Sequence, residues 1–153
     1  MAVSPNTNFT SGDVLTAAQM NKFPRGLMAD VVISSTSDTS VTAEEVMLTV
    51  TWTAVANRQY RLVYIEPALS GTSITSATFR LRSDSVTGTV LNSAVVAISS
   101  TTLTFSGFVE AFPNFAAGSN TVVATLQYSA GTGTATRSGT RLAMLYVEDV
   151  GAA

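Results

Sequence analysis

The run "VMLTVTWT", residues 46–53, most constrains this chain. Val46, Leu48, Val50 and Trp52 alternate with Met47, Thr49, Thr51 and Thr53. A period of two puts successive side chains on opposite faces of an extended strand, and no helix can sort them that way. "SATFRLRSD" (76–84) repeats the pattern, with Phe79 and Leu81 inward and Arg80 and Arg82 outward. Further β segments are read at 27–35, 60–67 (ended by Pro67), 88–99 and 101–112 as a pair, 120–130, 131–137 and 140–150. Gly, Ser, Asn and Thr turns separate them, and residues 36–45 and "AVANRQ" (54–59) read as connections.

Many short strands with no helical period between them predict an all-β fold. The expectation is an antiparallel β-sandwich or jelly roll of about eight strands. With 153 residues the chain suits one domain. It divides into an N-terminal arm, residues 1–26, and a β knob, residues 27–153. Trp52, in phase with Leu48 and Val50, belongs to the knob's core. Tyr60, Tyr64 and Tyr128 would stack on sugars if they lay open, which is the reading as a carbohydrate-binding module.

"SGDVLTAAQMNKFP", residues 11–24, departs from this pattern. Thr16 and Gln19 form a capping box, and Leu15 and Met20 have the spacing of a hydrophobic staple. Pro24 ends the helix within two turns. So short a helix is marginal in water and needs something to dock against. Phe9, Val14, Leu15, Met20 and Phe23 are the arm's candidate anchoring residues.

Two segments are apolar at every position: "LAMLYV" (142–147) and, nearly so, "AVVAI" (94–98). A strand apolar on both faces must be covered on both faces. In a one-domain sandwich the outer cover comes from a neighbour, so a homo-oligomer is predicted, with Leu142, Met144, Tyr146 and Val96 at the subunit interface. Phe112 and Phe115 in "FPNF" form a candidate exposed contact loop.

Composition removes several chemistries. There is no Cys and no His, so thiol nucleophiles, thiolate metal sites and the commonest general base are absent. Glu44, Glu45, Glu66, Asp84, Glu110, Glu148 and Asp149 could pair as in a glycoside hydrolase, but no motif pairs them. No catalytic, metal or cofactor site is predicted. Net charge is −2 with a single lysine, Lys22, too little cation for nucleic acid or an anionic membrane surface. Arg58, Arg61, Arg80 and Arg82 read as a solvated sheet face or as partners of Glu66 and Glu110. "GTGTAT" (131–136) lacks the third glycine and the helix of a phosphate loop. The longest apolar runs are about six residues, against roughly twenty for a spanning helix, and no secretion signal is read at the start.

The arm carries a resemblance. A Phe followed by "SGDVLTAAQMN" is similar to an N-terminal segment of small virion proteins of tailed bacteriophages, notably fibre-like and minor tail proteins of actinobacterial phages. "PRGLMADV", "ANRQYRL" and the terminal "LYVEDVG" fit as well. The resemblance implies a trimeric structural protein of the virion, assembled in the host cytoplasm. It would be held to a tail or capsid protein by its arm, with host-surface glycan as a further expected partner. A capsid decoration protein is the alternative within that class. No heptads follow the helix, so a compact knob is expected in place of a fibre shaft.

Overall fold

The computed structural model describes Val14, residues 16–98 and residues 105–153. One short helix, α1 (Ala17–Met20), precedes eleven strands among these residues. They are β1 (Gly26–Leu27), β2 (Val32–Ser34), β3 (Asp38–Val41), β4 (Glu45–Ala54), β5 (Arg58–Thr72), β6 (Ser76–Ser83), β7 (Val90–Ala97), β8 (Phe105–Ala111), β9 (Gly118–Tyr128), β10 (Thr132–Ala135) and β11 (Ala143–Ala152). All pairings are antiparallel.

The pairings are nested about the β6–β7 hairpin. β6 pairs β7, β5 pairs β8, β4 pairs β9, β3 pairs β10 and β2 pairs β11. The chain is therefore one long hairpin rolled upon itself, which is how a jelly roll is built. Rolling adds the β5–β11, β5–β10 and β6–β9 ladders and yields two layers. One sheet has the order β4-β9-β6-β7; the other runs β1-β11-β5-β10-β3, with β2 also on β11 and β8 on β5.

Alternation fills the space between the layers. Leu48, Val50, Trp52, Phe79, Leu81 and Leu126 from the first sheet meet Tyr60, Leu62, Tyr64, Val109, Leu145 and Val147 from the second. Burial of each such side chain contributes about 1.5–3 kcal/mol. Phe79 lies across Gly107 so closely that a Cβ there would stand 1.8 Å from the ring's Cζ. Glycine is what lets β8 pass beneath that ring.

Four expectations change. Residues 27–35, read as one strand, fall on two, β1 and β2, each paired separately with β11. Residues 36–45 contain β3, a strand too short and polar to show a period. β5 does not end at Pro67 but continues to Thr72. Its register with β8 shifts between Glu66 and Leu69, and its partner changes from β11 at Ile65 to β10 at Leu69. A proline, with no N–H to donate, is accommodated at such a break. Finally, β7 and β8 do not pair with each other; they lie in opposite sheets, paired to β6 and β5.

Candidate functional site

The arm meets the knob where β5 begins and β11 ends. Thr16 caps α1: its Oγ1 accepts from Gln19 N–H (3.2 Å), and its own N–H donates to Gln19 Oε1 (2.8 Å). No residue of the helix is buried. What holds this turn is its backbone. Arg58 donates to the carbonyl oxygens of Asn21 and Phe23, the latter at 2.6 Å. The same guanidinium makes a two-pronged pair with Asp149 at 2.8 and 2.6 Å, the side chains only 3% and 0% exposed. Asp149 Oδ1 also accepts Gly151 N–H at 2.9 Å. Gly151 has φ +128° and sits under the arm, where a Cβ would come 3.3 Å from Lys22 O. The chain then continues as β1 on the edge of β11.

Docking through carbonyls leaves the side chains open. Val14, Met20 and Phe23 are all exposed; Phe9 and Leu15 fall outside the described residues. The clamp itself has no sequence signature: Arg58 follows a turn and Asp149 sits in a mixed segment, with nothing in the spacing to join them.

Four further carboxylates, Glu66, Glu44, Glu110 and Glu148, are also taken up by arginines, whereas Glu45, among the described residues, accepts only from Thr42 N–H at 3.2 Å. Glu66 is fully buried and bonded twice by Arg137 (2.9 and 2.6 Å) and once by the Tyr64 hydroxyl (2.7 Å). Burial, reinforced by the Glu66 charge, pushes the Tyr64 phenol well above its ordinary range. Glu44 receives Arg82 (2.6 and 2.9 Å), Arg80 (3.0 Å) and the Thr125 hydroxyl (2.6 Å). Burial alone would raise the Glu44 carboxyl, but the hydrogen bonds from Arg82 and Thr125 and the two positive charges outweigh it, and it lies below its ordinary value. Arg61 lies between Glu110 (3.1 Å) and Glu148 (3.2 Å). Of the expected pairs, Arg61 with Glu110 forms, whereas Glu66 belongs to Arg137.

The two outer faces differ in chemistry. The β4-β9-β6-β7 sheet presents Thr49, Thr51 and Thr53, with Thr78, Arg80 and Gln127 partly exposed beside them and Val46 and Val95 open on its edge strands. The other sheet carries a continuous apolar row. Phe108, Ile65, Met144 and Ile33 stand opposite one another across four strands and form one row. Beside it, Tyr146 opposes Val63, and next come Arg61, Glu148 and Leu27. Met144 and Tyr146, expected at a subunit interface, lie on this face, both half-buried. Leu142, just before β11, is half-buried too. Val96 is a correction: it stands opposite the core residue Ala77 and packs against the core, while Val95 points outward. A segment apolar at every position carries no phase, so sequence could not assign its faces.

The "FPNF" loop divides in the same way. Phe112 is exposed. Phe115 is not: its ring turns inward to meet Trp52 edge-on at 4.8 Å and Tyr60 at 5.9 Å, closing the end of the sandwich. Trp52, Tyr60, Tyr64 and Tyr128 are all buried and offer no stacking platform.

No protein-family model matches the chain, and no curated protein matches it. Among solved structures it is similar to a protein from work on Bacillus endospore appendages, a family of disulfide-linked pili. That match is 17% identical with a TM-score of 0.43, over 90% of this chain and 97% of the other. A second likeness is to the enzymatically active domain of tailspike protein 4 of bacteriophage CBA120, 12% identical with a TM-score of 0.33. It covers 85% of this chain but only 19% of that one.

Proposed function

We propose that this protein is a non-enzymatic structural component of a tailed-phage virion, a jelly-roll knob that self-associates as a trimer and is fixed to a tail or capsid protein by its N-terminal arm. The observation that carries the reading is the arm's mode of docking. Arg58 holds the short helix by main-chain carbonyls, and Val14, Met20 and Phe23 are left facing outward. A helix that merely completed the knob would bury its apolar side chains. This one is held in place while they remain available to a second protein. The similarity of residues 9–21 to the arms of small virion proteins supports the same assignment. So does the engagement of Glu44, Glu66, Glu110, Glu148 and Asp149 by arginines, which leaves these carboxylates as ion-pair partners.

The test is a chain lacking residues 1–24. It should keep the knob's β-sheet circular dichroism and fail to appear in purified particles, whereas the full chain co-purifies with them. A truncated chain that incorporates normally would refute the anchoring role. Separated heads and tails, each probed with the full chain, identify which structure the arm grips.

A further inference from the structure

We infer that the outer face of the β8-β5-β11-β2 layer is the surface covered by further copies of this chain. The inference rests on the self-association proposed above and assigns it a place. The row Phe108, Ile65, Met144 and Ile33 spans four adjacent strands with no polar side chain in it. Leu27, Ile33, Phe108 and Phe112 are 47–55% exposed. At about 200 Å² for a fully open large side chain, these leave on the order of 400 Å² of apolar surface, and the half-buried Ile65, Met144 and Tyr146 bring it to about 500 Å².

That magnitude can be set against what assembly needs. A stable interface takes about 800 Å² from each partner, of which roughly 55–65% is apolar, or about 450–520 Å². The face supplies that amount, and its polar border supplies the remainder.

Charge chooses the occupant. The border carries one cation between two anions: Arg61 with Glu110 and Glu148, each about one-third exposed. A partner of a single sign would be opposed by part of that set. A second copy, turned so that its Arg61 approaches these carboxylates, matches it. A glycan would need hydrogen-bonding groups that the apolar row lacks. The opposite sheet leaves Thr49, Thr51 and Thr53 open, and its exposed Val46 and Val95 stand apart on its two edge strands instead of forming a row.

The experiment compares light-scattering mass for the full chain and for Phe108→Glu and Ile33→Glu, with Val95→Glu on the other sheet as control. Each position is largely open, so the knob's fold should survive, as circular dichroism can check. The unmodified chain and the Val95 variant should assemble to a multiple of 15.9 kDa. The two face variants should associate about a hundredfold more weakly and run as single chains. Because the chain has no cysteine, Phe108→Cys, Ile33→Cys and Val95→Cys give a second reading: in the assembled protein a maleimide should label the first two about tenfold more slowly than the third. An unmodified chain that is monomeric at micromolar concentration overturns the self-association and this inference together. An assembled chain whose face variants stay assembled, or whose residue 108 labels as fast as residue 95, overturns the face alone.

Discussion

Replacing Arg58 with Met tests the clamp on which the arm's geometry depends. The substitution keeps an unbranched chain of similar length and removes the charge. Asp149, with its side chain fully buried, then loses its two-pronged partner and keeps only Gly151 N–H on Oδ1. Stranding one member of a buried pair costs about 3–5 kcal/mol. The Asn21 and Phe23 carbonyls lose a charged donor but lie in an exposed segment where water replaces it, so the knob's own loss is about 4 kcal/mol. For a domain of this size that is a fall in Tm of roughly 10–15 °C at fixed protein concentration. The arm should loosen independently. Losing two charge-assisted hydrogen bonds should speed tryptic cleavage after Lys22 and Arg25 by about tenfold or more, as followed by mass spectrometry. Adding Asp149→Asn separates the effects: the amide oxygen can still accept from Gly151 while the stranded charge is gone. The double variant should recover more than half of the lost stability and keep the fast cleavage. A single variant that costs under about 1 kcal/mol, or one whose arm is cleaved no faster than in the unmodified chain, would refute the clamp.

Two further outcomes follow from the packing and the charges. Gly107→Ala drives a methyl into the Phe79 ring, which is fully buried and contacts Tyr64; a loss of about 2–3 kcal/mol in urea unfolding is expected, and a neutral result would show that the ring can shift. Glu44 is more acidic in the folded protein than its ordinary value of 4.5, so its contribution is complete above that pH and is lost as pH falls through the depressed value. Glu44→Gln should therefore destabilise at neutral pH by about 1–3 kcal/mol and flatten the acid side of the stability profile; an unchanged profile would remove the Glu44 network from the account.

Legibility in the sequence followed one physical condition, whether a strand buries a single face. Residues 48–53 and 76–84 do so, and the alternation predicts β4 and β6 within one residue at each end, with Trp52, Phe79 and Leu81 in the core. Val46, expected beside Leu48, is exposed because the register with β9 shifts between them, and Met47 packs against the core in its place. The short helix was equally plain, because a capping box is a local arrangement complete within four residues. What was illegible depends on chain contacts far apart. The Arg58–Asp149 and Arg137–Glu66 pairs join residues 91 and 71 positions apart. The nesting that sends β7 and β8 to opposite sheets is a property of the rolled hairpin as a whole, and adjacency in sequence pointed the wrong way. Val96 shows a third limit. Its side was decided by the register of β7 on β6, where Val96 stands opposite Ala77; five consecutive apolar positions cannot encode that.

Both proposed contact regions are built on one pair of strands. β5 and β11 stay in register from Ile65 and Met144 at one end to Arg58 and Ala152 at the other, with one shift between Asp149 and Gly151. The clamp uses the second end, and the apolar row crosses the first. Ile65 lies seven steps of strand beyond Arg58, or about 24 Å at the rise of an antiparallel strand. A continuous ladder between them, with Leu62, Tyr64, Leu145 and Val147 locked in the core beneath, cannot flex as a linker would. In an assembly formed through the row, each arm therefore leaves its knob at a fixed distance and direction from the shared face. The exposed Met20 and Phe23 are then presented as a set with the symmetry of the oligomer, and that set can grip a symmetric partner at several points at once.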